Sequence, residues 1–179
     1  MQFNDSDILA LFRTGNAANK EQAFRQLLSN YQQRLYYHVR RYVSNHDDAN
    51  DILQNTFIKI WKNLEKFRSD SSLYTWLYRI AGNEAITYLQ KTRKLQAQEL
   101  TESTMNHLIA SDSIDTEETL KRFRVAVEDL PAKQKQVFIL RYYDELTYEE
   151  IAQITDTSIG ALKASYHHAV KKIEEKLTA

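Results

Sequence analysis

Between Leu73 and Lys94 the chain reads LYTWLYRIAGNEAITYLQKTRK, and Thr75, Arg79, Asn83, Thr87 and Lys91 recur there at every fourth position. On a helix such a row forms one inclined ridge, so five hydrogen-bonding side chains make a line able to follow a groove or a strand. Tyr74, Trp76 and Tyr78 add aromatic faces. A base stacked on such a face gains about 1–3 kcal/mol whatever its identity, and amide and guanidinium groups can read base edges. Immediately upstream, Ser69, Asp70, Ser71 and Ser72 form a loop small and polar enough to hold a base turned out of its stack. The competing reading is a plain core helix, with Trp76 inside and the polar row solvated.

A second constellation lies in LTYEEIAQITDTSIGALKASYHHAVKKIEEKL. Thr147 and Glu150 have the spacing of a capping box that opens a short helix, whose buried side is Ile151, Ala152 and Ile154. Thr155-Asp156-Thr157 is a turn, and Ser158 is an N-cap for a longer helix. There Ile159, Leu162, Tyr166, Ala169 and Ile173 step by threes and fours, leaving Gly160, Ala161, Lys163, Ala164, Ser165, His167 and His168 nearer the other face. A short helix, a tight turn and a longer helix make a helix-turn-helix, whose second helix enters the major groove. Small residues at its start permit close approach, and Lys163, Lys171 and Lys172 are placed to hold phosphates. A helical hairpin without DNA is the alternative. His167 and His168 do not share a helix face, which argues against a joint metal site.

The third group is acidic: Asp47, Asp48 and Asp51. Their spacing lacks the glycine and distal glutamate of a calcium loop, so helix capping, or docking of another protein with Gln54 and Asn55, is the better reading.

These groups need helices to position them, and the composition supplies little else. Of 179 residues only three are glycine and one is proline, which points to an all-α chain. Apolar residues at helical spacing mark segments 20–45 and 47–66, the second with Ile52, Leu53, Phe57, Ile60, Trp61 and Leu64. Leu73, Leu77, Ile80, Tyr88 and Leu89 give the core side of the third helix, and a short helix is expected near Asp5–Arg13. The expected architecture is two small helical domains, 1–94 and 120–179, joined by a flexible linker over 95–119 with a helical turn near Met105–Ile109. The formal net charge is zero, yet residues 1–94 carry 14 Lys and Arg against 9 Asp and Glu, while 95–120 carry six acids and no Lys or Arg. Charge thus favours nucleic-acid contact in the first block and not in the linker. With no cysteine there is no disulfide framework or thiolate metal site. No apolar run approaches the roughly 20 residues of a membrane helix, and no signal peptide is evident. The expectation is a cytoplasmic protein without cofactor or metal, and not an enzyme.

Taken in order, the motifs resemble a bacterial RNA polymerase sigma factor of the extracytoplasmic-function (ECF) subfamily. DDANDILQNTFIKIW with FRSDSSLYTWLYRIAGNEA resembles the family's region 2, and LPAKQKQVFILRYYDELTYEEIAQITDTSIGALKASYHHAVKKI its region 4. The resemblance implies that the Asp48–Trp61 helix docks on the clamp of the polymerase's largest subunit, with Asp48, Asp51, Gln54, Asn55 and Ile58 as contacts, and that region 4 meets the polymerase flap. It implies that Ser69, Asp70, Ser71, Ser72, Trp76, Arg79, Asn83 and Thr87 open and read the −10 element as a single strand. The −35 duplex falls to Ser158, Gly160, Ala161, Lys163, Ala164, Ser165, His168 and Lys171, though many members carry arginine where Ser165 and His168 stand. Such factors lend promoter specificity to core polymerase and are commonly held inactive by an anti-sigma factor, often membrane-anchored. The alternative is a helix-turn-helix regulator that binds duplex DNA as a dimer.

Overall fold

A computed structural model describes residues 3–99 and 116–178. Every regular element among them is helical: α1 (Asp5–Arg13), α2 (Ala17–Arg40), α3 (His46–Asn63), α4 (Leu73–Glu99), α5 (Thr116–Glu128), α6 (Ala132–Phe138), α7 (Tyr148–Thr155) and α8 (Ile159–Thr178). A 3₁₀ turn, Leu64–Lys66, prolongs α3, and a π turn, Ile139–Tyr143, prolongs α6. The expected turn near Met105–Ile109 and most of the linker lie outside the described residues; α4 runs on through Glu99 and α5 starts at Thr116. The chain divides into two units, the first built from α1 to α3, α4 through Ala85 and the short stretch Gln153–Asp156, the second from the rest of the chain from Ile86 on.

Asparagine starts the first three helices. The Asn4 side chain accepts from the Asp7 amide at 2.9 Å while Asp7 returns a bond to the Asn4 amide, a reciprocal capping box. Asn16 accepts from the Ala18 amide and Asn45 from the Asp47 amide, and each cap satisfies a donor that the helix itself leaves open. Between α1 and α2, Gly15 takes φ +79°, a conformation glycine adopts without steric cost.

The core of the first unit is formed by Ile8 and Phe12 of α1, Leu27, Leu35 and Val39 of α2, Ile52 and Ile60 of α3, and Leu77, Ala81 and Ala85 of α4. The Tyr31 hydroxyl donates to the Asp5 carboxylate at 2.8 Å, tying α2 to α1. Burial, reinforced by that carboxylate, pushes the Tyr31 phenol well above its usual range.

The buried face of α4 differs from the expected one. Leu73 and Leu77 are inside as foreseen, but Tyr78, Ala81 and Ala85 continue the line, and Ile80, Tyr88 and Leu89 are only half-buried. Close packing selects small residues where helices approach most nearly, so weighting by size pointed to the wrong side.

In the second unit Ala126, Val127 and Leu130 pack with Phe138 and with Ala169 and Ile173 of α8. Pro131 stands at the N-cap of α6, with extended backbone (ψ 140°).

Candidate nucleic-acid and partner interfaces

The acid-led helix α3 buries Ala49, Ile52, Leu53, Thr56 and Ile60. Asp51, Gln54, Asn55 and Ile58 therefore face outward, and Asp48 is half-buried. Asp47 and Asp48 sit in the first turn, where the helix dipole favours negative charge. Trp61, expected in the core, is 40% exposed and Ile58 45%. Trp61 packs edge-on against Phe12 and Phe24 and forms one wall of a groove of about 530 Å³ between α2 and α3, lined also by Leu28, Leu53, Phe57 and Ile58. Isolated exposed apolar residues are ordinary; a contiguous lined groove marks a place for a partner. Sequence periodicity missed it, because Phe24, Leu28, Phe57 and Trp61 have the same spacing whether they fill a core or rim a groove.

The loop before α4 is fixed at both ends. Upstream, the Arg13 guanidinium donates to the Phe67 carbonyl at 2.5 Å, and the Phe67 ring packs on Trp76 with centroids 5.2 Å apart. Downstream, the Ser72 hydroxyl accepts from the Thr75 amide at 3.1 Å and pairs with the Thr75 hydroxyl at 2.8 Å. Ser72 is thus the N-cap of α4. Between these anchors Ser69 and Asp70 are exposed, Ser71 is half-buried, and Ser69 takes the left-handed conformation at φ +61°.

The polar row on α4 is shorter than the spacing implied. Thr75 is 5% exposed, so it belongs to the cap and the interior. Arg79 is half-buried, and Asn83, Thr87 and Lys91 are exposed. Nor are the tyrosines open stacking platforms. Tyr78 is buried against His38 (4.6 Å) and Tyr74 (4.2 Å), and Arg34 covers the Tyr74 ring at 5.3 Å. Trp76 is half-buried and packs on the buried Phe67 ring.

The helix-turn-helix is formed, with Ile151 and Ile154 buried as expected but Ala152, Ile159 and Tyr166 only half-buried. The Thr147 amide donates to Glu150 Oε2 at 2.8 Å and the Glu150 amide to Thr147 Oγ1 at 3.2 Å, completing the capping box of α7. Asp156 turns the chain at φ +52°. The Ser158 side chain accepts from the Ala161 amide at 3.4 Å and its carbonyl from the Leu162 amide at 3.0 Å. On α8, Leu162, Ala169 and Ile173 are buried; Gly160, Ala161, Lys163, Ala164, His167, His168 and Lys171 are exposed, and Ser165 is half-buried. A Cβ added at Gly160 would meet nothing within 4 Å. Lys163 Nζ lies 5.7 Å from the centre of the Tyr148 ring, which Arg141 also covers at 5.2 Å. Arg141 in turn donates to the Leu146 carbonyl at 2.8 Å. Lys172 is drawn to Gln134 of α6 at 3.1 Å rather than standing ready for phosphate, and Lys171 approaches Glu175 at 3.9 Å. Arg141 and Tyr148 carry no periodic signal and are visible only in three dimensions.

An anchored loop thus feeds one helix of the first unit, and a helix-turn-helix ends in α8 of the second. Residues 27–95 match the family described as Sigma-70 region 2, and residues 120–173 match Sigma-70, region 4. The chain is 35% identical over 168 residues to the ECF RNA polymerase sigma-E factor of Haemophilus influenzae, covering 88% of each, and 32% identical over 169 residues to that of Escherichia coli, covering 88% and 87%. The chain belongs to the ECF family of RNA polymerase sigma factors. Its structure is also similar to the sigma factor RpoE of Bartonella quintana, solved in complex with the anti-sigma factor NepR: TM-score 0.64, 30% identity, covering 87% of this chain and 97% of that one. The fold of CnrH, solved with the cytosolic domain of CnrY, matches with a TM-score of 0.67 at 23% identity over 96% and 95% of the two chains. Among the described residues no helix is long and apolar enough to cross a membrane.

Proposed function

We propose that this sigma factor docks on core polymerase through the outward face of α3 and reads its promoter at two separate places. Asp48, Asp51, Gln54, Asn55 and Ile58 are the docking contacts, bordering the groove walled by Trp61. Ser69, Asp70 and Ser71 form the pocket for a flipped base of the −10 element. Trp76 provides the stacking surface; Arg79, Asn83 and Thr87 follow the strand. Ser72 closes the same loop and caps α4. The −35 duplex is read from α8 by Ser158, Gly160, Ala161, Lys163, Ala164, Ser165, His168 and Lys171. The observation that carries this reading is the loop at 69–71, anchored at both ends and exposed between them, directly ahead of a helix with an outward polar face. The protein makes and breaks no bonds and works in the cytoplasm. It is controlled by an anti-sigma factor, as the complex formed by the Bartonella relative supports.

In vitro transcription with bacterial core polymerase and a promoter library tests the reading. Initiation at a defined set of promoters is expected, with loss in Asp51→Ala and Arg79→Ala variants that still fold. Tight binding to duplex DNA without any effect on core polymerase would contradict it.

A further inference from the structure

We propose that Arg13, at the end of α1, is a positioning residue for −10 recognition: it fixes the upstream end of the base-holding loop. The inference rests on the loop's role in the reading above. Arg13 lies outside the span matched by region 2, which begins at residue 27.

The geometry begins with α1, which cannot shift freely. Ile8, Leu9 and Phe12 are buried, Tyr31 holds Asp5, and Asn30 donates to the Phe3 carbonyl at 3.0 Å. Thr14 closes the helix, its hydroxyl donating to the Leu11 carbonyl at 2.8 Å. The turn at Gly15 then brings a second cation, Lys20, to Glu65 at 3.1 Å, within the Leu64–Lys66 turn. The connection leaving α3 is therefore gripped from the α1–α2 side at Glu65 and at Phe67.

Phe67 is the critical point. Its carbonyl accepts from Arg13, and its ring supports Trp76. One residue thus joins α1, the loop and the stacking side chain. Two residues later Ser69 adopts a left-handed backbone, which a serine keeps only where its surroundings hold it. The downstream end has its own anchor in the Ser72 cap. Removing the Arg13 bond frees one end of the loop while leaving the other fixed. The pocket then samples several shapes, and a bound base must select among them, which lowers apparent affinity by the fraction of competent states.

Arg13 is exposed, so its replacement leaves the core filled. The test uses full-length protein assembled with core polymerase. The probes are single-stranded oligonucleotides carrying the non-template −10 sequence of a promoter that the factor transcribes, and the same oligonucleotides with that element scrambled. For Arg13→Ala, discrimination between the two is expected to fall about tenfold, the usual share of a hydrogen bond to a charged group. Affinity for core polymerase and for −35 duplex should not change, and Arg13→Lys should recover part of the loss. Unchanged discrimination in Arg13→Ala, while Arg79→Ala lowers it, overturns the inference and leaves the loop reading standing. Unchanged discrimination in both variants overturns the two together. A loss that merely parallels weaker core binding and a lower melting temperature also overturns it, because Arg13 would then only support the fold.

Discussion

The two proposed nucleic-acid surfaces are built on opposite principles. Around the loop and α4 most polar and aromatic groups already have work inside the protein: Ser72 and Thr75 cap a helix, Tyr78 is core, and Tyr74 lies under Arg34. What is left for a strand is a short loop with fixed ends. On α8 the reverse holds. Gly160, Ala161 and Ala164 are bare and exposed, and space around Gly160 is open. A single-stranded base must be enclosed, so its pocket needs walls whose shape is set beforehand. A duplex presents its own rigid groove, so the reading helix needs only to be slim and well aimed.

The sharpest break in this contrast is expected at Trp76. Replacing Trp76 with alanine removes a stacking face worth about 1–3 kcal/mol per base, a loss of roughly fivefold to more than a hundredfold in promoter opening. Permanganate footprinting of the melted region measures that loss. Binding of the −35 duplex by the same variant should be unchanged, because α8 belongs to the other unit. An equal loss on both probes would mean that the two surfaces are not independent.

A smaller effect of opposite logic is expected at the start of α8. Gly160→Ala meets no atom within 4 Å and improves helix propensity by up to about 1 kcal/mol, so the protein should melt no lower than before. If the helix backbone enters the groove closely, −35 duplex affinity should nevertheless fall, by roughly threefold or more for each 0.7 kcal/mol of misfit. Stability and binding then move in opposite directions, which a helix that merely packs would not show. Lys163→Ala sharpens the same point. It should weaken binding to every sequence alike and lower the slope of log affinity against log salt by about one, as for a lost phosphate contact. Tyr148→Leu should give a weaker version of that result, since the Tyr148 ring holds the Lys163 ammonium.

How legible each surface is in sequence follows from the same contrast. The helix-turn-helix could be read almost entirely, down to the Thr147–Glu150 box and the Ser158 cap, because its determinants are local and separated by three or four residues. Tyr148, whose ring lies under both Arg141 and Lys163, escaped because a cation over a ring leaves no periodic trace. The first unit was legible as helices but not as surfaces. Trp61 has core spacing and lies in a groove wall, Thr75 has row spacing and lies inside, and Ala81 and Ala85 outrank Ile80 in the core. Burial there depends on how four helices cross, and one helix's periodicity cannot fix that. The Arg13–Phe67 bond spans 54 positions, beyond any local pattern.

Another expected difference between the units is their response to alkali, and it has opposite signs. In the second unit Lys135 is 1% exposed, and burial lowers its pKa from 10.5 to about 8, partly offset by Glu128. Between those values the unfolded chain binds the proton and the folded one does not, so stability rises with pH across that window. In the first unit the Tyr31 phenol is held above its ordinary value of 10, chiefly by burial and then by Asp5. Above pH 10 the unfolded phenol ionises while the folded one resists, so that unit loses stability as pH rises further. The two tryptophans, Trp61 and Trp76, are both in the first unit, so their fluorescence follows it alone, while amide exchange of α6 and α8 follows the other. Chemical denaturation from pH 8 to 10 should show the second unit gaining and the first nearly flat, with a decline of the first only above 10. Lys135→Met should flatten the gain, and Tyr31→Phe should remove the decline. A common slope in both units would mean that they unfold as one body under these conditions.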